Sequence, residues 1–193
     1  LPSLKVFLIP GVRPILFVVL AWVLTHNILY TYIAPYLAET AFAQRVDLVL
    51  LIFGITSVVG IWVIGMLIDR FLRILVLISI TGFALASVSL GIGMNQPAII
   101  ILGVSVWGLT FGGAATLLQT AIAQAGGRSA DIAQSMLVTA WNIAIGGGGI
   151  IGGFLLELFG AGFLPGSLII LLLPSLLVAW LAKKHGFPSQ KNP

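Results

Sequence analysis

Six long apolar runs constrain this chain more than anything else in it. Residues 14–37, 46–68, 72–93, 98–124, 131–157 and 165–183 are each long enough to cross ~30 Å of hydrocarbon at about 1.5 Å per residue. In lipid the backbone must bond to itself within each segment, so such runs read as helices rather than strands. Hydrophobic residues make up 60% of the chain and charged ones 7%, against about 25% charged in a soluble domain. A soluble fold could not cover so large a core with so few polar side chains. The expectation is an all-α integral membrane protein, a single six-helix transmembrane domain over residues 1–193, with no soluble module, linker or low-complexity tract.

The net charge of +4 could suggest a nucleic-acid partner, but the basic residues follow topology instead of forming one face. Lys5 and Arg13 precede the first run, Arg70 and Arg73 lie between the second and third, and Arg128 lies between the fourth and fifth. Lys183, Lys184 and Lys191 follow the sixth. If six helices alternate, these eight of the nine Lys and Arg residues share one side and Arg45 alone marks the other. The positive-inside rule then sets both termini in the cytoplasm of a protein in the plasma membrane, a bacterial inner membrane. The first run is too long for a cleavable leader and shows no small-residue cleavage site. A start at Leu1 instead of Met points to a piece of something longer.

No cysteine is present, so neither a disulfide framework nor a thiolate metal site is expected; no metal and no cofactor are anticipated. The connections are short: "MNQP" (94–97), "QAGGRSAD" (124–131) and "GAGFLPG" (160–166), with Pro165 suited to the first turn of the last helix. Pro14 opens the first helix, Pro35 sits near its outer end and Pro174 lies midway along the sixth. Each is read as a static kink.

Charge is concentrated in "GMLIDRFLRI" (65–74), between the second and third runs. "GMLIDRF" (65–71) also has a partner, "GFLLELF" (153–159), sharing Gly-x-Leu-aliphatic-acid-x-Phe, and Gly60 and Gly148 match at the same offset. The first copy ends the second helix on the cytoplasmic side and the second ends the fifth on the outer side. Helices 1–3 and 4–6 therefore read as two inverted three-helix repeats. Arg70 gives way to Leu158, which keeps the basic residue only where the loop is cytoplasmic.

Gly65-Met-Leu-Ile-Asp69-Arg70-Phe-Leu-Arg73 resembles the Gly-x-Leu-x-Asp-Arg-x-Gly-Arg signature of the major facilitator superfamily, which joins the second and third helices of a half. Leu72 departs from the Gly often found there. "HNILYTYIAPYL" (26–37) and "GGRSADIAQSMLVTAWNIAIGGGGIIGG" (126–153) resemble the arabinose-efflux and chloramphenicol-exporter branch of the drug:proton antiporters. The resemblance covers essentially the whole chain as the C-terminal half of a twelve-helix transporter. It implies proton-coupled efflux of a small molecule by alternating access and a partner in the missing N-terminal six-helix half, or a second copy. It also implies that Gly65, Asp69, Arg70 and Arg73 form a latch between conformational states. Independently of it, Gly65 permits close helix approach, Asp69 suits a helix N-terminus, and Arg70 and Arg73 hold the loop in the cytoplasm or pair with lipid phosphate.

His26 is the only ionisable side chain at membrane depth, which makes it a candidate for proton or substrate handling as against helix glue. Asn27, Tyr30 and Tyr32 accompany it, and His26 and Tyr30 share a face at i, i+4. By the resemblance, this helix lines a central cavity. Trp107 shares a face with Thr110, while Gln119 shares one with Thr116 and Thr120 and needs a partner for its amide. On the fifth helix, Ser135, Thr139, Asn142, Gly146, Gly149 and Gly153 form one stripe. Its glycines, with Gly108 and Gly112 on the fourth helix, read chiefly as helix-packing positions.

An enzyme is not expected. "GVSV" (103–106) lacks the Gly-x-Ser-Gly of an intramembrane serine protease, and the sixth helix carries no His to activate Ser105. No phosphate-binding Gly-x-x-x-x-Gly-Lys loop is present, so ATP is not the energy source within this chain. A non-transporting membrane scaffold or a channel-like bundle is the competing reading. A scaffold would not require the inverted repeat or His26 at mid-depth.

Overall fold

Proline and non-helical residues decide where the apolar runs are cut. The computed structural model describes residues 2–189, and these form helices and turns without a strand. After a short α1 (Pro2–Phe7) come α2 (Val12–Thr31), α3 (Ile33–Ala38), α4 (Val46–Ile92), α5 (Pro97–Gly112), α6 (Ala114–Gly126), α7 (Ala130–Phe159) and α8 (Leu164–Leu181). Three-residue 3₁₀ turns at Gly127–Ser129 and Ala161–Phe163 link the last helices. Lys191, counted above among the basic residues, lies outside the described residues.

The first run divides into α2 and α3 at Tyr32 (φ −109°, ψ 26°). Pro35 explains the position of the break. It lacks an N–H for the Thr31 carbonyl, and its ring would crowd that carbonyl in a continuous helix. Pro165 lies in the first turn of α8, as expected, and Pro174 sits inside α8 without ending it. The fourth run is likewise cut, into α5 and α6, at Gly113 (φ −90°, ψ 2°).

Four helical stretches are long and apolar enough to cross a membrane: Val12–Thr31, Val46–Ile92, Pro97–Phe159 and Ala161–Leu181. Two of them exceed a single crossing. The 47 residues of α4 would extend about 70 Å if straight, over twice the hydrocarbon thickness. They are not straight. Phe71 has φ −128° and ψ 25°, and residues on both sides of it reach α5. Gly60 abuts Leu109 and Gly112 abuts Ser57, while Gly82 abuts Thr110 and Gly103 abuts Leu90. On a straight helix, residues 57 and 90 would lie about 50 Å apart, beyond the span of a 16-residue helix about 24 Å long,. The chain therefore folds back at Phe71, between residues 46–68 and 72–93, where the sequence reading divides it.

At the centre stands α2, packed against α7 and α8, while α4 packs against α5 and α8. Val18, Val19, Trp22, Val23, Ile28 and Leu29 of α2 are fully buried. Leu51, Val58, Trp62, Leu85, Ile150 and Leu158, by contrast, face outward. An apolar exterior over an apolar core is the arrangement a lipid solvent permits.

The helix-packing glycines sit in a different register from the expected one. On α7, a Cβ at Gly146 or Gly149 would meet nothing within 4 Å. The residues that let α7 touch α2 are Gly148, against Asn27 and the Leu24 carbonyl, and Gly152, against Tyr32 and Ile28. Gly153 also lies by the Tyr32 hydroxyl, which donates to the Gly149 carbonyl. The Ser135–Thr139–Asn142–Gly146 stripe is thus the outward face of α7. Gly108 and Gly112 pack against Thr56 and the Phe53 carbonyl and against the Ser57 backbone of α4.

Candidate functional site

Close approach of α5 to α4 through Gly108 and Gly112 brings aromatic side chains together around His26. The imidazole is buried and lies flat on Phe111, with ring centroids 3.6 Å apart and planes 6° apart. Trp107 donates its indole N–H to His26 Nδ1 at 3.1 Å. An accepting Nδ1 carries no proton, so the ring is neutral with its proton on Nε2. Phe53 lies tilted against Trp107 at 4.1 Å, Tyr30 stacks on His26 at 5.6 Å, and Trp22 meets Phe111 edge-on at 6.2 Å. Aromatic pairs of this kind each contribute about 0.5–1.5 kcal/mol beyond the area they bury. The His26 ring is held by these contacts.

A cavity of about 310 Å³ opens beside this cluster. Its walls include His26 and Tyr30 of α2, Phe53 and Ser57 of α4, Phe111 of α5 and Trp141 of α7. Five of these six are rings. No lining residue carries a formal charge while His26 is neutral. The Ser57 hydroxyl oxygen is buried without a hydrogen-bond partner among the described residues, so the cavity offers a hydroxyl, an imidazole and a phenol among stacking surfaces. Such a site can hold a neutral solute by ring contact and a few hydrogen bonds.

Of the residues singled out from sequence, His26, Tyr30 and Trp107 meet here, and Asn27, Gln119 and Asn142 do not. Asn27 turns to its own helix, donating to the Val23 carbonyl at 2.8 Å, and its Cβ packs at Gly148. Gln119 is exposed on α6, where its backbone carbonyl accepts from Gln134 at 2.9 Å. Asn142 is exposed on α7 beside Trp141, the residue that lines the cavity. Phe53, Ser57, Phe111 and Trp141 were not singled out. The signal was present in part: Phe53 with Ser57, and Trp107 with Phe111, are i, i+4 pairs on one face.

The Gly65–Arg73 stretch forms a second polar site at the fold-back of α4. Gly65 is exposed and a Cβ there would meet nothing within 4 Å, so it makes no close helix contact within the described residues. Asp69, Arg70 and Arg73 border a cavity of about 490 Å³. Arg73 reaches across to the C-terminal end of α8. It donates to the carbonyls of Ala179 at 3.1 Å, Trp180 at 2.8 Å and Phe187 at 2.7 Å. Unpaired carbonyls at the negative end of a helix dipole are natural partners for a guanidinium.

No family model matches the chain. It is 26% identical over 153 residues to a probable sugar efflux transporter of Helicobacter pylori strain J99, covering 77% of this chain and 39% of that protein. It is 30% identical over 142 residues to a probable sugar efflux transporter of Mannheimia succiniciproducens, covering 70% and 34%. A chloramphenicol efflux pump of Mycobacterium tuberculosis is 27% identical over 141 residues, covering 68% and 34%. These relatives carry transporter names, and none is named as an enzyme. The chain is thus a homologue of bacterial efflux transporters, matching between 34% and 39% of the length of these three.

Proposed function

We propose that this chain is the C-terminal six-helix half of a major facilitator efflux transporter, two inverted three-helix repeats with both ends in the cytoplasm. The half works with a second six-helix half, and the pair moves a small uncharged solute across the plasma membrane by alternating access. The observation that carries this reading is the charge-free aromatic cavity at His26, in a chain similar to sugar and chloramphenicol exporters. A polyol or an aromatic amide suits such walls, and an ion does not, because no opposite charge would replace its hydration.

Proton coupling fits the same site. Protonation of His26 at Nδ1 would remove the acceptor for Trp107 and place a cation among rings, so the proton and the packing of α5 on α2 are linked. Asp69, Arg70 and Arg73 act as the latch at the fold-back of α4, their contacts made in one state and released in another. A static scaffold would have no use for a cavity of this size.

The test is solute binding to the purified chain in nanodiscs, followed by quenching of tryptophan fluorescence with chloramphenicol and with a pentose. Binding by the wild type, weakened tenfold or more in Trp141→Ala and in Ser57→Val, supports the site. Undiminished binding in both variants refutes it. Efflux by the complete two-half protein in inverted vesicles, dissipated by a protonophore, tests the coupling.

A further inference from the structure

We propose a phospholipid site on the outer flank of the bundle, where the second limb of α4 packs beside α8. Two cavities adjoin there and share two walls, Leu77 and Trp180. One, of about 430 Å³, is an apolar groove lined by Thr81, Leu173, Leu176 and Leu177 besides those two. The other is the 490 Å³ polar cavity bordered by Asp69, Arg70 and Arg73. A soluble anion would need only the second, and a neutral hydrocarbon only the first. Continuity of the two selects one amphipathic molecule, with its phosphate at the fold-back and an acyl chain along α8.

Charge complementarity makes that lipid anionic. Among the described residues, Arg70 and Arg73 line the polar end against one carboxylate, that of Asp69, and Lys183 stands over the Trp180 ring that forms part of its wall. Arg73 is committed to the Ala179 and Trp180 carbonyls of α8 and to that of Phe187 beyond it yet keeps its charge. Arg70 lies at the Phe71 ring, and the Lys183 ammonium stands 4.5 Å from the centroid of Trp180. Trp180 itself is half-exposed, an apolar body with a polar edge at the boundary between tail and headgroup, as interfacial tryptophans are placed. Basic pockets at the cytoplasmic ends of membrane helices hold anionic headgroups by these means.

The experiment delipidates the purified chain in detergent and titrates it with phosphatidylglycerol, phosphatidylcholine or phosphatidylethanolamine. Retained lipid is counted by native mass spectrometry and thermal unfolding is followed by circular dichroism. Phosphatidylglycerol should be retained preferentially and raise the melting temperature. The Arg70→Gln/Lys183→Gln variant should bind it about thirtyfold more weakly, a factor of roughly five for each cation removed. Thr81→Phe, which fills the groove and leaves the cations, should also reduce retention. Glycerol phosphate, which has the headgroup without the chains, should not displace the lipid. Equal retention of phosphatidylcholine or phosphatidylethanolamine overturns the proposal, as does retention unchanged in both variants. Full displacement by glycerol phosphate would reduce the site to one for a soluble anion and overturns the lipid assignment. If the double variant does not fold, the Thr81→Phe result and the loss of wild-type preference in high salt decide the matter.

Discussion

The contact between α2 and α7 can be tested at the resolution of a single methyl group. An alanine at position 148 would put its Cβ 2.7 Å from Asn27 Cβ, 2.9 Å from the Leu24 carbonyl oxygen and 3.3 Å from the Ile28 nitrogen. Two of these are backbone atoms of α2, so no rotamer change relieves the clash and the helices must separate. At position 149, one residue on, the same methyl group would meet nothing within 4 Å. Both substitutions gain the same helix propensity, about 1 kcal/mol at most, and the propensity cancels in the comparison. What remains is overpacking, about 1–3 kcal/mol, or roughly five- to 150-fold in the folding equilibrium. Gly148→Ala should therefore be less stable than Gly149→Ala by that amount in an SDS titration of the micellar protein followed by circular dichroism. Gly146→Ala should behave like Gly149→Ala. Equal midpoints for positions 148 and 149 would refute the assigned helix register.

Trp107→Phe keeps a ring against Phe53 but leaves the His26 Nδ1 buried without its donor, which should cost about 1–3 kcal/mol and appear as a lower unfolding midpoint. Arg73→Gln should free the end of α8, destabilise by about 2 kcal/mol and speed trypsin cleavage at Lys183 and Lys184. Single cysteines near Glu39 and Gly162 should react with an impermeant thiol reagent outside intact cells, and one near Arg128 should not; labelling at Arg128 would break the six-crossing topology. Asp69→Asn in the two-half transporter should lower transport while solute binding persists, through a shift of about 1–2 kcal/mol between states, measured as efflux beside binding on the same membranes.

What could be read from the sequence was whatever depends on the length and polarity of local segments. The helical class follows from the apolar runs, and the division of α4 near Phe71 follows from the charges that interrupt them. The His26–Tyr30 face was legible because i, i+4 spacing is fixed by the helix itself. Contacts between helices were not. Six glycines lie within 146–153, and nothing local tells which of them face α2; Gly148 and Gly152 do so most closely, with Gly147 at the Leu24 side chain, set by how α7 lies on α2. Asn27 looked polar enough for a cavity, but an asparagine in a helix can satisfy its amide on the preceding turn, and it does. Ser57 is no different in sequence from any serine that bonds back to its own helix, yet its oxygen is buried without a partner among the described residues. Arg73 was read for its charge; that it caps a helix 106 positions away depends wholly on the fold-back of α4.

The central position of α2 has a consequence for the order of assembly. α2 is made before α7 and α8, the two helices that flank it. Until they arrive it is held in the bilayer by its own apolarity and by the contacts of His26 with Phe53 of α4 and with Trp107 and Phe111 of α5. Its neighbours in sequence, α4 and α5, can pair in the meantime through Gly60, Gly108 and Gly112. A chain cut short after α6 would leave the faces of α2 that meet α7 and α8 bare, a target for membrane proteases.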